Sequence, residues 1–132
     1  MAIREYLKTA KIFARLQERF PMNRLAGKAG LRAGQSYMRA DKHRDAVNAF
    51  KRVMHEQAYD GPGIRAQAMY WAGMSFQELR EPMAAYSIFK RLTYDFPESK
   101  WASYARAQLS QEKMLKLDKK LELERLEAGL NQ

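Results

Sequence analysis

The chain contains no cysteine. That excludes a disulfide framework, a thiolate metal site and a cysteine nucleophile. Only two histidines are present. His55-Glu56 has no second histidine four positions after the first, where Tyr59 stands, so the helical zinc-protease motif is excluded. Proline and glycine are scarce, at four and seven in 132 residues, and runs of β-branched residues are absent. Strands and hairpins therefore have little to form from, and long 3.6-period patterns predict an all-α protein. No apolar run approaches the roughly 18 residues of a membrane span. The first residues, Met1-Ala2-Ile3-Arg4-Glu5, have no apolar signal-peptide core. Gly27-Lys28-Ala29-Gly30 lacks the Gly-Lys-Ser/Thr core of a phosphate loop and falls inside a helical pattern. Glu122, Glu124 and Glu127 read as a solvated helix face. With no nucleophile motif and no paired carboxylates, neither an enzyme nor a bound cofactor or metal is expected.

What is present is a folded composition: 46% hydrophobic and 30% charged residues, with a net charge of +9. A chain of this length makes one domain large enough to bury a core. The basic balance raises a nucleic-acid reading through Arg24, Lys28, Arg32, Arg39, Lys42 and Arg44, whose binding would fall steeply with salt. Because the charges are spread over all the helices without one dense tract, a solvated basic surface is the simpler reading.

The strongest signal is internal repetition. Ala33-Gly34-x2-Tyr37 followed by Ala46-x3-Phe50 recurs as Ala72-Gly73-x2-Phe76 followed by Ala85-x3-Phe89, closing on Pro97. The shift also aligns Leu25 with Ile64, Ala29 with Ala68, Ser36 with Ser75, Arg52 with Arg91 and Val53 with Leu92. A self-match at such a period is the mark of a solenoid. The residue types suit close packing: Gly34 and Gly73 where one helix must approach the next, Ala46 and Ala85 as small partners, and the aromatic residues filling the space between.

These residues resemble the tetratricopeptide repeat, which implies an α-solenoid of antiparallel helix pairs. About two full repeats, 23–58 and 64–97, are expected within a single domain spanning 1–132. They are flanked by a half-repeat at 2–21 and a long final helix at 98–128, making about six helices. The first helix reads as the second helix of a repeat whose partner is missing, so the chain is expected to begin mid-repeat, as a piece of a longer protein would. Asn23 and Ser99 are expected to cap the helices that follow them, Tyr59 to Gly63 to form a loop, and Pro82 to open a helix. The Phe-Pro corners with Pro97-x-Ser99-x2-Ala102-x2-Ala105, echoed by Pro21-x-Asn23-x2-Ala26-x2-Ala29, are similar to the tetratricopeptide subclass of bacterial envelopes, that of TolA-binding and outer-membrane assembly proteins. For a leader-less piece this implies a periplasmic or envelope setting; for a complete chain, the cytoplasm.

The resemblance also implies a function, a non-catalytic scaffold that holds a protein or peptide partner in its concave groove. The first helices of the repeats line that groove. Their exposed positions are Lys28, Leu31, Gln35, Met38 and Arg39 in the first; Gln67, Tyr70, Met74 and Gln77 in the second; and Tyr104, Ala107, Gln111 and Met114 in the third. Methionine and tyrosine suit an adaptable peptide surface. Chaperone-binding members use Asn and Lys where this chain has Gln35 and Leu31, so an acidic chaperone tail is not the expected partner. In the last helix Leu117, Leu121, Leu123, Leu126 and Leu130 form a leucine stripe, expected either to fold back as a cap or to join another chain as a homo-oligomer.

Overall fold

The 39-residue period predicts helix pairs, and the computed structural model describes them for residues 3–23, 25–56 and 61–130. The described helices are α1 (Ile3–Arg19), α2 (Ala26–Arg39), α3 (His43–His55), α4 (Gly61–Glu78), α5 (Pro82–Asp95), α6 (Lys100–Leu109) and α7 (Glu112–Leu130). No strand occurs among the described residues. Each helix packs on its neighbours in the chain, and α2 also packs on α4 and α4 on α6. This is an α-solenoid in which α2, α4 and α6 form the inner layer. Exposed ion pairs bridge parts of the outer layer: Arg52 to Glu18 at 3.7 Å, and Arg44 to Glu81 at 2.6 Å.

Two features of the repeat are built identically in both copies. The first is a lock between paired helices. The Phe50 ring lies against Gly34 and the Phe89 ring against Gly73, and a Cβ on either glycine would stand well under 3.0 Å from the ring. Both rings are fully buried, as are Ala46 and Ala85 beside them. The glycines are therefore required by close approach, and the energy comes from burying two phenylalanines. The second feature is the turn. Asp41 and Arg80, again 39 positions apart, hold positive φ of 60° and 58°. The Lys42 N–H donates to the Tyr37 carbonyl at 2.8 Å and the Glu81 N–H to the Phe76 carbonyl at 2.9 Å. Each first helix thus ends in a six-to-one left-handed cap, with a non-glycine residue in the glycine-favoured position.

Three sequence expectations are corrected, within the expected all-α solenoid of helix pairs. The single final helix is two, because Ser110 and Gln111 break it. The Ser110 hydroxyl donates to the Ala107 carbonyl at 2.8 Å, competing with the helix ladder. The break lets α7 re-aim so that Met114 is buried, at 1% exposure. Helix α4 starts at Gly61 and not at 64, since glycine and proline are tolerated in a first turn whose N–H groups need no intrahelical acceptor; Tyr59 and Asp60 lie outside the described residues. Helix α2 starts at Ala26, because Asn23 does not cap it: the side chain accepts from Leu25 N–H at 2.8 Å in a local turn. Ser99 does cap α6, accepting from Ala102 N–H at 3.0 Å, and Pro82 opens α5 as expected.

Candidate partner-binding groove

The inner layer presents one face of α4 between α2 and α6. Residues 67, 70, 71, 74 and 78 share that face by helical spacing. On one flank, Trp71 joins Gln35, Met38 and Arg39 of α2 around an open pocket of about 180 Å³. On the other, Tyr70 meets α6. Its ring centroid lies 5.7 Å from that of Trp101 and 5.8 Å from that of Tyr104. Trp71 completes the cluster, 5.1 Å from Tyr70 and 6.2 Å from Trp101. Trp101 and Tyr104, one turn apart on α6, meet edge to face at 5.5 Å. Edge and tilted arrangements are the favoured ones for such rings.

These rings are half in water. Tyr104 is 47% exposed, and Tyr70, Trp71 and Trp101 are partly buried. Burial pushes the Tyr70 phenol above its ordinary value of 10.0, and the neighbouring Tyr104 adds to the shift. Tyr70 is therefore a neutral hydrogen-bonding group at any physiological pH. The Trp71 indole N–H is buried with no acceptor among the described residues. A buried donor without an acceptor is costly, so this indole marks a place where the packing leaves a polar group unsatisfied. Lys100 sits over the Trp101 ring at 5.0 Å and adds positive charge at this edge.

The groove residues read from sequence divide into three groups. Gln35, Met38, Arg39, Tyr70 and Tyr104 come together as above. Gln67, Met74 and Gln77 are partly buried on α4, and Lys28 and Ala107 are exposed. Leu31 and Met114 are corrections: both belong to the core, Leu31 at 6% exposure and Met114 beneath α7, so neither is a groove contact. Gln111 is exposed in the turn between α6 and α7, and not on a groove helix. Trp71 and Trp101 were missed. The i, i+3 pair Trp101/Tyr104 was the available signal, but placing it opposite Tyr70 requires the α4–α6 contact.

The leucine stripe of α7 also divides. Leu117 packs against the core and Leu121 is partly buried, whereas Leu123, Leu126 and Leu130 are exposed. The Tyr86 hydroxyl on α5 donates to Asp118 of α7, and Lys90 stands 3.7 Å from the same carboxylate. The first half of α7 is therefore docked and the second half is not. Of the basic residues considered for nucleic acid, Arg24 lies outside the described residues. Lys28, Arg32, Arg39, Lys42 and Arg44 are exposed, with Arg39 over the Tyr6 ring and Arg44 paired to Glu81.

An α-solenoid with an aromatic inner face defines a helical-repeat protein. The tetratricopeptide repeat family model matches residues 28–57 and 67–99. The two matched segments begin at 28 and 67, the same 39-residue step that relates the glycine–phenylalanine locks, so the similarity falls on the two central hairpins. Neither the curated proteins nor the solved structures gave a match. Repeats of this family generally mediate protein–protein interaction. No described helix is long and apolar enough to cross a membrane.

Proposed function

We propose that this chain is a non-catalytic scaffold that binds an extended segment of a partner protein along the inner face of α2, α4 and α6. The observation that carries the reading is the half-exposed cluster of Tyr70, Trp71, Trp101 and Tyr104, with the indole N–H of Trp71 lacking an acceptor. Aromatic rings supply large contact area at low entropic cost, and tyrosine and tryptophan are the residues enriched at the energetic centres of interfaces. Met38 and Met74 beside them let the surface adapt to the shape of the segment. An assembly of the bacterial envelope is the setting favoured by the Phe96-Pro97-x-Ser99 signature.

The test is a screen of immobilised peptides for binding to the chain, followed by the double variant Met74→Ala/Tyr104→Ala. Loss of two groove contacts should weaken a bound peptide by about tenfold or more, equivalent to roughly 1.4 kcal/mol. Helical circular dichroism should be unchanged. Full affinity in the double variant would place the binding surface elsewhere.

A further inference from the structure

Two apolar surfaces at opposite ends of the array are left open by the packing. At the first end, α1 turns Ala10 and Gln17 inward, and Ile12, Leu16 and Phe20 lie exposed. Leu16 and Phe20, with Leu25, Ala26 and Ala29, wall an open pocket of about 170 Å³. Its lining is apolar apart from Asn23, and it is roomy enough for a leucine side chain. At the other end, α7 has two leucine-rich faces. Met114, Leu117 and Leu121 share the face toward the body. Leu123, Leu126 and Leu130 fall on the opposite side by helical spacing, with Leu126 at 61% exposure and Leu130 at 85%. An isolated surface leucine is ordinary, but a stripe on a helix of this length with no cover is an interface signal.

The charges decide which surface meets which. Helix α1 is basic on balance, with exposed Arg4, Lys8, Lys11, Arg15 and Arg19 against exposed Glu5 and Glu18. The free half of α7, beyond Leu121, carries Glu122, Glu124 and Glu127 against Arg125 alone, all exposed, while Lys119 lies one turn before Leu123 on the same face. Pairing the free half of α7 with itself, or α1 with α1, sets surfaces of like net charge against each other, whereas pairing the free half of α7 with α1 sets opposite net charges together. We infer that the free half of α7 docks on the α1/α2 end of a second copy of this chain, placing a leucine of the stripe in the pocket walled by Leu16, Phe20 and Leu25. The contact is heterologous, so each copy keeps one unused end and the array extends head to tail. It leaves the groove of α2, α4 and α6 out of the contact, so self-association and partner binding are separable.

The experiment is sedimentation or light scattering of the full chain over a wide concentration range, with two single variants. Leu126→Lys places a cation against the basic helix α1, and Leu16→Glu places an anion against the acidic free half of α7. Both positions are exposed, and circular dichroism verifies that the fold is retained; should either variant lose helicity, the glutamine substitution at the same position replaces it. Wild type should rise in average mass with concentration, and the rise should shrink in high salt. Each variant alone should be monomeric. Mixed together they should form a one-to-one dimer, since one retains an intact α1 and the other an intact α7. A wild type that stays monomeric at the highest concentration, association lost in only one of the two variants, or a mixture that stays monomeric would each overturn the inference.

Discussion

The two central hairpins, α2–α3 and α4–α5, and the terminal pair, α6–α7, are made from similar amounts of helix but are held differently. In each central hairpin a glycine faces a fully buried phenylalanine, and a six-to-one left-handed cap sets the turn. In the terminal pair neither feature occurs. The positions 39 beyond Gly73 and Phe89 are Glu112 and Ala128, so no lock can form. Helix α7 is held by buried Met114, half-buried Leu117 and the Tyr86–Asp118 hydrogen bond, all in its first half. A repeated sequence thus becomes a closed hairpin through one ring over one glycine. Where the pair is missing, the helix keeps its helicity but leaves one end unattached.

The largest effect should come from removing the lock. Phe50→Ala or Phe89→Ala should each cost about 3–5 kcal/mol in denaturant unfolding, because an aromatic ring is deleted from a fully buried site. Gly34→Ala or Gly73→Ala should cost about 1–3 kcal/mol, since the new methyl forces the ring aside. In contrast, Gly129→Ala in α7 meets nothing within 4 Å and should be neutral or stabilise by up to about 1 kcal/mol. Equal effects at Gly73 and Gly129 would erase the distinction between the two regions.

Next comes Met114→Ala, expected to cost about 2 kcal/mol, the low end for a buried methionine, because α7 can lift away without unfolding the rest. Hydrogen exchange should accelerate in α7 alone. Acceleration spreading to α3 would show that the terminal pair is as cooperative as the central ones.

The Tyr86–Asp118 bond makes the docking of α7 sensitive to pH at two extremes. Burial first, then the hydrogen bond to Asp118, pushes the Tyr86 phenol up to about 12. A raised tyrosine stabilises the fold in its protonated form. Its contribution is full below the ordinary value of 10.0 and is lost as pH rises through about 12. The hydrogen bond from Tyr86, with the charge of Lys90, holds the Asp118 carboxyl below its ordinary 3.8. That contribution is present above 3.8 and is lost as pH falls through the depressed value. Protease protection of α7 should therefore be flat through neutral pH and fall on both sides. Tyr86→Phe should lower the plateau and remove its share of the alkaline fall; an alkaline fall of unchanged size would assign it to other groups.

The smallest effect concerns the turns. Asp41 and Arg80 hold left-handed conformations that cost a non-glycine residue about 1–2 kcal/mol. Asp41→Gly and Arg80→Gly should each stabilise thermal unfolding by about 1 kcal/mol or less, after the greater freedom that glycine gives the unfolded chain is subtracted. Among the described residues, the turn of the terminal pair has no such position and offers no such gain.

Much of this architecture was legible in the amino-acid sequence. The paired glycines, alanines and phenylalanines were readable because packing of a repeated unit demands the same side chain at the same place, and a period survives without any knowledge of three-dimensional neighbours. Ser99 and Pro82 were readable for a similar reason, since caps act within one turn of chain. The groove was only partly legible. Tyr70, Gln35 and Met38 follow from helical phase, but Leu31 and Met114 occupy positions of the same phase and are core. Phase gives direction from a helix axis; only the neighbour standing in that direction decides between water and burial. The break at Ser110-Gln111 escaped for the same reason. Ala, Arg and Leu before it and Lys, Leu and Glu after it all favour helix, and the local break at Ser110 is held in place by the burial of Met114 on the body, a contact between segments. The sequence by itself determined the repeat, its locks and the helical content of α7, because these depend on local periodicity and side-chain size. The tertiary structure alone decided that Trp71 and Trp101 meet around Tyr70, and that one half of α7 is docked while the other half presents its leucines outward, because both depend on which helices pass within contact distance.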